Sequence, residues 1–198
     1  MKKTIVAFDL DGTLTRKDTL PAFFRHTHPP LQRAGNLFAV LPSLFLFFAG
    51  WMNNGQAKQK LFSRFYKNWT LEKFNGFCRS FSPVIDGCIR PDVYQEMKQH
   101  LTNGHQVIIV SASIENWILP WATKEGVDTV LATRIEADTD GRLTGRFSSP
   151  NCYGNEKKKR ILALFPERDS YMLIAYGDSK GDLDMLQMAD EKHYIKTF

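Results

Sequence analysis

Ile5-Val6-Ala7-Phe8-Asp9-Leu10-Asp11-Gly12-Thr13 is a short apolar, partly β-branched run that breaks into two aspartates and an Asp-Gly turn. Ile5 to Leu10 is too short for a helix and stops at a turn signal, so it reads as a buried strand. Two other runs behave alike. Val107 to Val110 leads into Ser111-Ala112-Ser113, and Tyr171 to Tyr176 leads into Gly177-Asp178-Ser179-Lys180-Gly181-Asp182. Helical segments lie between them. Pro91 opens one, Val93, Met97 and Leu101 recur at four-residue spacing along it, and Gly104 ends it. Ile114 to Glu125, with Ser113 as cap, Glu156 to Phe165 and Asp182 to Ala189 are further helices, and Tyr194 to Lys196 is a last strand. Strands alternating with helices imply an α/β fold, a parallel sheet covered by helices. Asp140-Gly141, between RIEAD and RLTGRF, signals a hairpin because both turn residues tolerate positive φ.

Residues 15–90 break this rhythm with few strand signals and many Phe and Trp. The segment holds eleven Lys/Arg against three Asp/Glu, a net of +8, whereas the whole chain carries +5, so the remainder is acidic at −3. Such polarity suggests that the basic part meets an anionic partner, or that it is a solvated helical face. Ala34 to Ala57 is uncharged over 24 residues. Its apolar heart, residues 37–52, would span roughly 24 Å as a helix, short of the ~30 Å hydrocarbon core, and Pro42 and Gly50 weaken it as a span. A buried helix or helical hairpin, a segment dipping into a membrane interface and a transmembrane helix all remain open.

The chain has 198 residues, is 43% hydrophobic and 24% charged, and so has the composition of a globular protein with a sizeable core. Its three cysteines share no CxxC spacing, which argues against a disulfide framework or a zinc knuckle and for a reducing compartment. Asp9 and Asp11 interrupt the apolar stretch that a secretory signal would need. A cytoplasmic location is expected.

The chemistry gathers at the strand ends. Ligands bind at the carboxyl edge of parallel sheets, and Asp9 and Asp11 emerge there together. Two carboxylates in one cleft repel unless a cation intervenes, and Mg²⁺, a hard ion that takes oxygen ligands, suits them. On its own, an Asp-rich turn is more often a cap. Ser111 follows the second strand, where a hydroxyl can donate to a phosphoryl oxygen, although serine there often only caps a helix. Lys157, Lys158, Lys159 and Arg160 open a helix whose dipole disfavours cations, which hints at another reason for one of them. Asp178 and Asp182 add two carboxylates at the same sheet edge. A nucleic-acid-binding module would leave these four carboxylates unexplained, so no nucleic-acid partner is expected.

DLDGT, VSAS, a downstream lysine and GDSKGD match in order the four motifs of the haloacid dehalogenase superfamily of phosphohydrolases, from Asp9 to Asp182. The chain resembles its phosphoserine-phosphatase-like branch, subfamily IB, in which a helical cap follows the first motif. That resemblance implies a Rossmann-like core of residues 1–14 and 91–198 and an α-helical cap of residues 15–90. It implies Asp9 as nucleophile forming an aspartyl-phosphate and Asp11 as general acid and base. It also implies Mg²⁺ held by Asp9, the backbone carbonyl of Asp11 and Asp178, with Asp182 in support, and Ser111 and Lys157 on the phosphoryl oxygens. Cys152 to Lys157 is similar to the branch's Cys-x-Gly-x-x-Lys pattern, which singles out Lys157. Asp18 and Arg64 are the loose counterparts of its substrate-contacting cap residues. Ser-Ala-Ser departs from the Ser-Gly-Gly of phosphoserine phosphatases and loosens the link to phosphoserine. The apolar residues 37–52 and the basic cap resemble bacterial phosphatidylglycerophosphate phosphatases. The expected substrate is therefore a small-molecule or lipid phosphomonoester, with peripheral membrane contact through residues 37–52, at the inner face of the membrane, as the lipid alternative.

Overall fold

The computed structural model describes residues 2–127 and 129–196, apart from the side chains of Ser43 and Leu44. Five parallel strands form the central sheet: β1 (Lys3–Phe8), β2 (Gln106–Ile114), β3 (Thr129–Thr133), β6 (Tyr171–Gly177) and β7 (Glu191–Tyr194). Their order is β3-β2-β1-β6-β7, so the chain reverses its direction of travel beside β1. A crevice opens at the carboxyl ends of the strands at such a switch point. Strand alternation sorts the core into two layers. Val6, Phe8, Val107 and Ile109 face one cluster, and Ile5, Ala7, Ile108 and Val110 face the other.

The helices α6 (Pro91–Thr102), α7 (Glu115–Lys124), α8 (Asn155–Leu164) and α9 (Leu183–Met188) cover this sheet. The hairpin of β4 (Ile135–Ala137) and β5 (Leu143–Phe147) is antiparallel, as Asp140-Gly141 leads one to expect. Residues 15–90 fold into α1 (Thr19–Thr27), α2 (Pro30–Phe48), α3 (Asn54–Tyr66), α4 (Leu71–Ser80) and α5 (Ser82–Asp86). The sequence punctuates these helices. Asp18 caps α1, an Asn53/Gln56 capping box starts α3, and Thr70 caps α4. The two ends of the insertion are stitched together, Arg16 N–H to the Cys88 carbonyl at 2.8 Å and Arg90 N–H to the Leu14 carbonyl at 2.8 Å. Its aromatic centre, Phe23, stacks on Trp117 of α7 at 4.6 Å and meets Phe81 and Phe74 edge-on at 5.0 and 5.5 Å. The insertion is thereby fused into the core layer on one face of the sheet.

Several boundaries differ from the sequence expectation. β2 runs on to Ile114, with an irregularity in its pairing to β3 between Ser111 and Ile114, so α7 starts one residue later and Ser113 is not its cap. β3 went unforeseen because its five residues carry little pattern of their own; β2 gives it its register. The last strand lies at Glu191–Tyr194 rather than 194–196, where it pairs in parallel with Ile174 to Gly177 of β6, next to the Leu173 N–H that the Asp190 carboxylate accepts at 2.8 Å. A 3-10 turn at Lys180–Asp182 precedes α9 and shortens the helix expected from Asp182. Among the described residues no helix is long and apolar enough to cross a membrane.

Candidate active site

The β1 ladder continues into Asp9, whose N–H donates to the Tyr176 carbonyl at 3.0 Å and points the residue out of the strand end beside β6. The chain then folds back through Thr15 N–H to the Leu10 carbonyl at 2.9 Å. Gly12 makes that return possible. Its φ is +89°, and a Cβ there would drive into the Asp178 carboxylate lying against it. The Thr13 hydroxyl stands 3.3 Å from Asp9 Oδ2 and 3.2 Å from Asp178 Oδ1, a single proton between two carboxylates.

Lys157, in the first turn of α8, is buried and spends all three of its protons. Its Nζ lies 2.5 Å from Asp9 Oδ1, 2.6 Å from Asp182 Oδ1 and 2.7 Å from the Val110 carbonyl. Burial would lower its pKa, but the two carboxylates hold it above the ordinary lysine value. Burial pushes the Asp9 carboxyl up to about 7, against the pull of Lys157 and with the push of Asp182 and Asp11. Asp182 is itself enclosed, its Oδ2 accepting the Ser179 N–H and hydroxyl at 3.0 and 2.8 Å. Half-buried Asp178 is shifted upward, by desolvation and then by the Asp182 charge.

Asp11 is held differently, by neutral donors from two sides. Its Oδ1 accepts the Thr19 N–H at 2.7 Å, from the start of α1, and its Oδ2 accepts the Ser113 hydroxyl. Ser113, read from sequence as a helix cap, instead positions a carboxylate 102 residues away. Its N–H also donates to the Ser111 hydroxyl at 3.1 Å, so Ser111 is buried beside the same strand ends.

Asp9, Asp11, Ser111, Lys157, Asp178 and Asp182 thus converge at one sheet edge. Asp18 sits on the rim as the cap of α1, its carboxyl pushed above the usual range by desolvation and then by the neighbouring Asp11 charge. Arg64 does not join them. It is exposed on α3 and lines a separate cleft against the β4–β5 hairpin. The insertion's cation at the site is Lys58, one turn and a half earlier, whose Nζ donates to the Ala112 carbonyl at 3.0 Å. Burial pulls that ammonium below the ordinary lysine value, against the attraction of Asp11, Asp18 and Asp9. Only its place at the edge of the uncharged stretch marked it in the sequence. Arg90, at the insertion's other end, reaches the Gly12 carbonyl at 3.3 Å.

The donor set fits a small hard cation. Asp9, Asp178 and Asp182 offer oxygens that lie within 4.8 Å of one another, and oxygen-only ligands suit Mg²⁺. Five carboxylates, Asp9, Asp11, Asp18, Asp178 and Asp182, face the ammonium groups of Lys58 and Lys157, an excess of negative charge that a divalent cation would offset.

Comparisons with known proteins show what the chain and its fold are similar to. Protein CicA of Caulobacter vibrioides is 34% identical over 191 residues, covering 96% of this chain and 85% of its own. A structure from Bordetella pertussis Tohama I, of a protein of unknown function, superimposes with a TM-score of 0.80 at 20% identity, over 97% of this chain and 89% of that one. A structure described as a phospho-aspartyl intermediate analogue of phosphoserine phosphatase does so with a TM-score of 0.66 at 24% identity, over 97% and 86%. Residues 6–187 match the family model of the haloacid dehalogenase-like hydrolases, and the chain belongs to that family.

Proposed function

We propose that the protein is a Mg²⁺-dependent phosphatase that hydrolyses a small or amphiphilic phosphomonoester through an aspartyl-phosphate. The observation that carries this reading is the different environment of two neighbouring carboxylates. Asp9 is gripped by an ammonium, which suits a nucleophile, and Asp11 is held by two neutral donors, which orient its carboxyl for the acid and base role. An Asp9 oxygen attacks phosphorus, the bond to the substrate oxygen breaks, and Asp11 protonates the departing alkoxide. Asp11 then takes a proton from water as that water attacks phosphorus, which breaks the aspartyl–phosphorus bond and releases inorganic phosphate. Ser111 and Lys157 steady the phosphoryl oxygens. Asp9, Asp178, the Asp11 backbone carbonyl and, in support, Asp182 would hold Mg²⁺, which would supply neutralisation of the phosphoryl charge. Residues 15–90 act as a cap over the core of residues 1–14 and 91–198. Asp18 and Lys58 face the substrate from the cap side.

A second reading, a phosphatidylglycerophosphate-type lipid substrate with peripheral membrane contact through residues 37–52 at the inner face of the membrane, is favoured by the exposed aromatic side chains of α2. Phosphate release from phosphoserine and from a phospholipid phosphomonoester, each with and without liposomes, separates the two. Turnover of soluble esters alone sinks the lipid reading, and turnover of none of these esters nor of p-nitrophenyl phosphate sinks both.

Chelation with EDTA is expected to lower p-nitrophenyl phosphate turnover by about 100-fold or more, with recovery on adding Mg²⁺, because the metal contributes several kcal/mol of charge stabilisation. Full activity after exhaustive chelation refutes the metal assignment. Ser113→Ala removes one of the two donors to Asp11, worth about 1 kcal/mol, so kcat is expected to fall about 5- to 10-fold with KM nearly unchanged. A kcat unchanged by the substitution, or a loss carried by KM instead, removes Ser113 from this role.

A further inference from the structure

α2 carries apolar side chains on both of its sides. Its inward side holds Val40, Leu46 and Phe47 with Arg33 and Asn36, whereas its outward side carries Leu31, Phe38, Phe45 and Phe48 at 85, 76, 72 and 82% exposure, followed by Trp51 at 83%. Residues 31, 38, 41, 45 and 48 recur at spacings of seven, three, four and three, so they form one stripe along the helix. Exposed apolar side chains scattered singly need no explanation, but a contiguous aromatic stripe marks an interaction surface.

The charge of the surrounding segment indicates what covers it. From Thr19 to Leu71 the chain contains six Lys/Arg and no Asp or Glu. Lys60 and Arg64 on α3 and Lys67 at its C-terminal cap line a cleft of about 720 Å³ that Ala39 and Val40 of α2 border. Among the described residues no carboxylate lies within ion-pair distance of any of the three. Asp138 also borders the cleft, but its Oδ1 accepts the backbone N–H groups of Asp140 and Arg142. A second copy of the chain packed through this face would set the same uncompensated cations against each other. An anionic lipid surface complements both features, taking the aromatic stripe into the headgroup boundary and the cations against its phosphates.

We propose that the α2–α3 hairpin is a docking element for anionic membranes. It lies flat at the interface, with the α2 stripe inserted and Lys60, Arg64 and Lys67 on the headgroups. The 19-residue length of α2 and Pro42 within it suit a helix lying along the surface. This deepens the second functional reading by naming its partner, yet it rests on a surface remote from the carboxylates.

Sedimentation of the full-length protein with sonicated vesicles of phosphatidylcholine containing 30 mol% phosphatidylglycerol tests it, with pure phosphatidylcholine vesicles alongside. Binding to the mixed vesicles is expected, weakened about tenfold or more by Phe45→Ser with Phe48→Ser and likewise by Lys60→Glu with Lys67→Glu, and falling with added salt. The Lys60→Glu and Lys67→Glu protein keeps its turnover of p-nitrophenyl phosphate within about twofold without vesicles, which shows that it is folded. Asp9→Asn protein binds vesicles as the parent does, so loss of the catalytic reading and loss of this one are separate results. Absence of sedimentation with the mixed vesicles overturns the proposal. So does binding indifferent to both double substitutions, or a dimer in light scattering that Phe45→Ser with Phe48→Ser converts to monomer.

Discussion

Asp9→Asn is expected to abolish phosphate release, by on the order of 10³-fold or more, because an amide cannot form the aspartyl-phosphate on which the proposed reaction depends. Thermal unfolding separates this loss from misfolding. Asn keeps a carbonyl oxygen for Lys157, and that ammonium retains Asp182 and the Val110 carbonyl, so the melting temperature is expected to shift by only a few degrees. The pH dependence supplies a second signature. Burial raises the Asp9 carboxyl from 3.8 to about 7 in the folded chain, so the folded state binds more protons than the unfolded one between those values. The stability that this proton contributes is fully present below 3.8 and is lost as pH rises through 7. Metal-free parent protein should therefore lose stability to Asp9→Asn protein as pH climbs from 4 to 7, measured by urea unfolding in EDTA. A substituted protein that still turns over p-nitrophenyl phosphate refutes the nucleophile.

Lys157→Met is expected to be the most destabilising change at the site. It leaves Asp9, Asp182 and the Val110 carbonyl without their shared donor in a buried cluster. Removing one partner of a buried ion pair costs about 3–5 kcal/mol, which for a chain of this size lowers the melting temperature by roughly 10 °C. Activity is expected to be lost with it, since in the proposed reaction Lys157 steadies the phosphoryl oxygens. Lys158→Met is the control. Its neighbour in sequence is only partly buried and stands outside the cluster, so the change should stay within about 0.5 kcal/mol. Equal effects of the two substitutions would remove Lys157 from its assigned place.

The strands that bear the site were legible because their signal is local. A buried parallel strand needs an unbroken apolar run, and Ile5 to Leu10, Val107 to Val110 and Tyr171 to Tyr176 supply it without reference to anything distant. The short edge strands β3 and β7 were missed or shifted because their register is imposed by β2 and β6. Ser113 illustrates the same limit at the site. A serine after a strand has a local use as a cap, and only the fold shows that the Asp11 carboxylate takes its hydroxyl. Lys58 and Arg64 changed places for a similar reason. Helical spacing allowed either to face the core, and the packing of α3 against β5 and α2 turned Lys58 inward and left Arg64 in the outer cleft.

By itself the sequence determined the α/β architecture, the helical character of residues 15–90 and the identity of the groups at the strand ends, since hydrophobic period, turn chemistry and motif order are properties of neighbours along the chain. Tertiary structure alone decided which of those groups share protons and charges, and which side of α2 faces outward. Those outcomes depend on contacts between residues far apart in sequence, whose energies arise only when burial removes water from around them.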